Sequence, residues 1–143
     1  MGRRPFIVIL VALALAGCGG GGSSGGAVAP VYKRAPTEAC LRSHSFEIKH
    51  GVKAVGFVAF TSVGGSFRAT KSASKDVILA FGNDGADAKQ TLDAIRGNDK
   101  LKQSKIFRYR RRVANVVLFW AYRPKRATAR VVDGCLRPSQ KAA

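Results

Sequence analysis

Acidic residues are scarce in this chain: eight of 143 positions, against 25 lysines and arginines. Histidine occurs twice, as His44 and His50, and cysteine three times, as Cys18, Cys40 and Cys135. These shortages exclude much chemistry. Two histidines and no C-x-x-C supply too few soft ligands for a zinc site, so no metal is expected. The acids are spread from Glu38 to Asp133, and their spacing favours no carboxylate pair for acid–base work. Neither H-E-x-x-H nor G-x-x-x-x-G-K-[ST] occurs, so no catalytic residue and no cofactor is assigned. Long apolar runs are also missing. The longest, Phe6 to Ala16, has eleven residues, about half of the roughly 20 that a membrane-spanning helix needs.

That run does have the length of a signal-peptide core. Arg3 and Arg4 precede it, and Leu15-Ala16-Gly17-Cys18 ends it. An aliphatic residue, two small residues and a cysteine in that setting resemble the lipobox of bacterial lipoprotein precursors. The resemblance covers residues 1–18 only. It implies that Cys18 is alkylated with diacylglycerol, that cleavage precedes it, and that its new amino group is acylated. Arg3-Arg4-Pro5-Phe6-Ile7 also resembles the core of a twin-arginine export signal, although the general secretory route is the expectation. The implied address is the cell envelope. The chain would be lipid-anchored on the outer face of the cytoplasmic membrane, or in an outer membrane if the cell has one.

Residues 18–35 then read as a tether. Gly19 to Gly26 holds nothing larger than serine, buries no apolar area, and so offers nothing to offset the entropy of ordering it. Residues 36–138 form one domain and 139–143 a disordered tail. Cys40 and Cys135 stand near the two ends of that domain. An even pair in an oxidising compartment reads as a disulfide.

The patterns within the domain predict an α+β fold: a small two-layer unit, an antiparallel sheet with helices packed on one face. Pro36-Thr37-Glu38 starts a helix that carries Cys40. Ser45 to Lys49 alternates as a strand. Ala54 to Phe60 is continuously apolar and fits a buried strand or an apolar loop. A turn at Gly64-Gly65 leads into a strand, and Asp76 to Phe81 is a second. Asn83 to Asn98 is a helix capped by Asn83 or Asp84, with Gly97 as its stop. Ser104–Arg112 and Asn115–Tyr122 form a hairpin turning around Arg111 to Asn115. The last helix opens with Pro124 at its first position and carries Cys135. Gly82 to Gly85 has the layout of a phosphate loop, but Asp84 and Asp87 put negative charge where the anion would sit, so capping is the reading.

Charge is the outstanding property. Loss of Arg3 and Arg4 with the signal leaves 23 basic residues and eight acids, a net charge of about +15. Arg108, Arg110, Arg111, Arg112, Lys125 and Arg126 are the candidates for binding anions. On a strand, Arg108 and Arg110 would share one face, and Phe107 and Tyr109 the other. Lys125 and Arg126 fall in the first turn of the last helix, where the macrodipole disfavours cations. The expected partners are the membrane, through the lipid anchor, and anionic lipid headgroups or cell-wall polymer. Val55 to Phe60 shares only a Gly-Phe pair with the aromatic signature of RNA-recognition domains, and no nucleic acid is expected. Two functions survive: a non-catalytic binding or structural module of the envelope, and a small exported enzyme acting on envelope polymer. Two acids, or His44 and an acid, meeting in a cleft would favour the enzyme.

The anchor has a direct check. Intact mass should show a diacylglyceryl group on a chain beginning at Cys18, and Cys18→Ser should abolish cleavage and lipid attachment together. A mature chain that begins elsewhere and carries no lipid would refute the reading.

Overall fold

A computed structural model describes residues 29–72 and 75–136. The signal segment, Cys18, most of the tether and the tail lie outside the described residues. Two apolar strands set the architecture. β3 (Lys75–Phe81) and β5 (Val116–Trp120) pair antiparallel, with Val77 opposite Trp120 and Phe81 opposite Val116. Nearly every residue of both is buried, as in strands covered on both faces. Successive side chains alternate between two cores. Val77, Leu79, Phe81, Val116, Leu118 and Trp120 point to one; Ile78, Ala80, Val117 and Phe119 point to the other.

Around this pair the sheet runs β1-β2-β3-β5-β4, antiparallel throughout. β1 (Glu47–Lys49) is a three-residue edge, β2 (Ser66–Ser72) pairs with β3, and β4 (Tyr109–Val113) is the other edge. The α+β class and the antiparallel sheet are as expected. On the first face lie α1 (Arg34–Ser43) and α6 (Arg126–Cys135), which bury Leu41, Val132 and Cys135 there. The second face, left bare in the sequence reading, is covered as well. Its cover is α2 (Val52–Val55), α3 (Val58–Thr61) and α4 (Gly85–Arg96), with a 3-10 turn at Lys105–Phe107. A further short helix, α5 (Asp99–Lys102), connects α4 to that turn.

The largest local departure is Ala54 to Phe60. It is neither strand nor loop but two helical turns hinged at Gly56, whose φ of 61° lies where a side chain is disfavoured. Val55 and Val58 plug the second core from either side of that hinge. The hairpin also differs. Lys105 to Phe107 turns out of the strand, and Phe107 packs edge-on against Phe119, ring centroids 5.2 Å apart. The β4–β5 turn is confined to Ala114 and Asn115, with Ala114 at φ 49°. Lys125 is extended and caps α6, so Pro124 precedes the cap and Arg126 is the first helical residue.

The helix at Asp84 follows expectation. Its carboxylate accepts from the Ala86 and Asp87 amides at 2.8 and 3.0 Å, and Asp87 accepts from Asn83 at 2.9 Å. Gly82 is obligatory there, since a Cβ would lie 2.5 Å from the Cβ of Asp87.

Cys40 and Cys135 form the expected disulfide, Cα atoms 5.4 Å apart, joining α1 to α6 across 95 residues of sequence. A loop of that length gives about 4–5 kcal/mol in the chain-entropy picture. Cys135→Ala should therefore lower unfolding free energy by about 2–5 kcal/mol in denaturant titration. Alkylation of the unfolded, unreduced protein should leave both cysteines unlabelled. Labelling of both would show an open pair.

Candidate anionic-surface interface

The six basic candidates do not form one face. β4 places Arg110 and Arg112 opposite Phe119 and Val117, on the side of the second core, and Arg111 opposite Leu118, on the side of the first. Arg108 precedes the strand, at the end of the 3-10 turn. The expected sharing of a face by Phe107 and Tyr109 is not found. Phe107 leaves the strand and is buried in the second core, whereas Tyr109 stands exposed on the other side.

Three of the six already have partners. Arg111 is ion-paired with Asp133 of α6. Arg112 donates to the Gly85 carbonyl at 3.1 Å, and Arg110 to the Phe107 carbonyl at 3.3 Å. These three also occupy an edge strand, where exposed charge blocks pairing with a second sheet. Among the described residues, the side chains of Arg108, Lys125 and Arg126 have no such partner. They share an end of the molecule, because Tyr109, next to Arg108, pairs with Trp120, five residues before Lys125.

Two clefts open at that end. One, of about 330 Å³, is lined by Lys102, Gln103, Ser104, Lys105 and Arg108. The other, of about 140 Å³, lies between α6 and the β2–β3 hairpin and is lined by His44, Phe46, Lys71, Lys75, Ala127, Thr128 and Val131. Neither has an acid in its lining. Lys71 and Lys75 were not singled out in the sequence, since each stands alone in a polar stretch and only the hairpin brings them together.

The acids explain why positive charge is left over. Glu38 faces Arg34 and His50, each at 3.3 Å, and Glu47 faces Lys49. Asp76, nearly buried, receives the Arg68 guanidinium and the Thr70 hydroxyl. Asp84 and Asp87 serve the α4 cap. Asp93 takes Lys89 and Arg96, Asp99 takes Lys102, and Asp133 takes Arg111. Hydrogen bonding from Lys89 holds the Asp93 carboxyl below the ordinary carboxylate range, and bonding to Asp76 raises the Arg68 guanidinium above its usual value. All eight acids thus have partners close at hand.

His44 meets no acid. It lies one helical turn after Cys40, and one of its ring nitrogens comes within 4.8 Å of both cysteine sulfurs. With the cysteines joined as a disulfide, no thiolate is there to ligate a metal. The histidine that does meet an acid is His50, with Glu38. Neither His50 nor Glu38 lines the clefts of 140, 290, 330 and 360 Å³. No family model, curated protein or solved structure matches this chain.

Opposite the basic end, Asn115 fixes the entry of the N-terminal segment. Its amide donates to the carbonyls of Tyr32 and Gly82 at 3.0 and 2.7 Å, and its Oδ1 accepts from the Tyr32 amide at 2.7 Å. Order therefore begins before Pro36. Asn115 is 2% exposed, and losing its partners strands buried polar groups at about 1–3 kcal/mol. Asn115→Ala should cost that much in unfolding free energy and should speed hydrogen exchange at the Tyr32 amide. Unchanged protection at Tyr32 would show that other contacts hold the segment.

Proposed function

We propose that this chain is a lipid-anchored protein of the cell envelope whose folded domain is a non-catalytic module for binding anionic surfaces. One observation carries the reading. With every acid engaged by a nearby partner, Lys105, Arg108, Lys125 and Arg126 are among the cations left over, and they lie toward one end of the sheet, beside clefts lined by further lysines. Helix stability does not account for Lys125 and Arg126, because they stand at the positive end of the α6 dipole. Attraction to a polyanion does account for them. Anchoring through Cys18 would supply the address, and the lipid headgroups and wall polymers of an envelope would supply the anion. Weak contacts suffice, because a tether raises the local concentration of binding sites into the millimolar range.

Each cation near an anionic membrane contributes about 1 kcal/mol. Joint replacement of Arg108, Lys125 and Arg126 by serine should therefore weaken binding by about 3 kcal/mol, roughly a hundredfold. Replacing Arg110 and Arg112, which are bonded within the fold, should cost less. The assay is co-sedimentation of the lipid-free mature chain with anionic vesicles or wall polymer. Binding should fade as salt rises from 0.1 to 1 M, where the Debye length falls from about 10 to about 3 Å. A chain that stays in the supernatant at low salt would refute the proposal.

A further inference from the structure

The two helical turns at Val52–Thr61 divide their apolar residues sharply. Val55 and Val58 are 1% and 0% exposed and fill the second core. Phe60 is 73% exposed, Val63 68%, Val52 51% and Phe57 37%. The single-turn helix that seats Val58 sends Phe60 outward, and the Gly56 hinge leaves Phe57 at the surface. Two phenylalanines and two valines in twelve residues, projecting from one short segment, are more than scattered surface apolarity requires. Lys53 is exposed in the same segment.

The position of this knob names its occupant. Val63 adjoins Gly64, and Gly64 lines a cleft of about 290 Å³ with Val31, Tyr32, Lys33 and Arg34. Gly65 sits so close to Arg34 that a Cβ there would lie 2.8 Å from the guanidinium. The chain arriving from Cys18 therefore joins the fold beside the knob, through the segment that Asn115 holds. Twelve residues lie between Cys18 and Val31, and the stretch is rich in glycine and serine. Random-coil scaling gives such a stretch an r.m.s. span of about 20 Å. A domain of this size has a radius of gyration of about 13 Å. Such a leash would keep the entry corner, and the knob beside it, within about 20 Å of the anchor on average.

We infer that Val52, Phe57, Phe60 and Val63 form a membrane-inserting knob. They enter the interfacial zone of a phospholipid bilayer, where apolar side chains leave water and a neighbouring lysine meets the headgroups. The inference rests on the anchoring at Cys18 proposed above and adds a second, non-covalent contact with a defined orientation. Lys125 and Arg126, at the start of α6 on the opposite face of the sheet, then face away from the bilayer.

The test separates insertion from anchoring. The mature-length chain is coupled in vitro at the Cys18 thiol, the only one outside the disulfide, to a maleimide lipid in vesicles of mixed zwitterionic and anionic phospholipid. Trp120 is the sole tryptophan and is buried, so Phe60→Trp adds one reporter at an exposed site. Ala127→Trp, on exposed α6, is the control. Lipids brominated along the acyl chain should quench the Phe60→Trp emission several-fold more than the Ala127→Trp emission, and 0.5 M salt should not abolish the difference. Equal quenching at the two sites would overturn the inference. So would a lipid-free chain that dimerises and becomes monomeric on Phe60→Ser, since a second copy would then cover the knob. Native protein without a diacylglyceryl group would refute the anchor alone, because here the lipid is attached by chemistry and the quenching remains readable.

Discussion

Burial of β3 and β5 on both faces is the constraint on which the other elements depend. Two runs of five strand positions, Val77–Phe81 and Val116–Trp120, alternate between two apolar surfaces, and neither surface can be left to water. One is closed by α1 and α6, which begin and end the described fold and are clipped by the disulfide. The other is closed by pieces that are individually weak: two single turns, α4 and a 3-10 turn. Phe107 shows the force involved. It would have extended β4 by two residues, but leaving the strand lets its ring reach Phe119.

Much of this was legible in the sequence, and the failures share a cause. Asp84 and Gly97 bound α4 because capping is a local interaction, readable from a few adjacent residues. The Cys40–Cys135 pair followed from compartment and count. The second helical layer was missed because an apolar run such as Val77–Phe81 does not say whether one face or both are covered. Ala54 to Phe60 was ambiguous for a related reason: its apolar residues serve two destinations, and only the positive φ at Gly56 sorts them. Asn115 gave no signal at all. A lone asparagine in a turn is ordinary, and its worth lies in Tyr32, 83 positions away in sequence.

The charged residues divide on similar lines. Clustering in sequence suggested a basic sheet face or edge around Arg108 and Arg110; β4 is an edge, but a strand sends neighbours to opposite sides and an edge strand uses charge for its own protection. Arg111 is spent on Asp133 and Arg112 on the Gly85 carbonyl. What clustering overstated in β4 it understated elsewhere. Lys71 and Lys75 converge with α6 only through the hairpin, and Arg108 comes near Lys125 only through the pairing of Tyr109 with Trp120.

The sheet's polarity then relates the two proposed surfaces. The leash enters where β3 ends and β5 begins, at Gly82 and Asn115; Arg108, Lys125 and Arg126 lie nearer the other end, where β3 begins and β5 ends. A leash with an average span of about 20 Å would hold the domain near a bilayer without fixing which face meets it. If the knob at Phe60 is the membrane contact, Lys105 and Arg108 stay beside the cleft that Phe57 lines, whereas Lys125 and Arg126, at the start of α6 on the opposite face of the sheet, are held out toward whatever anion lies beyond the headgroups. Wall polymer then fits them better than lipid does. Conversely, if those cations bind the membrane, the leash spans the sheet, which its average reach allows, and the exposed phenylalanines are left in water. The apolar knob beside the leash favours the first arrangement.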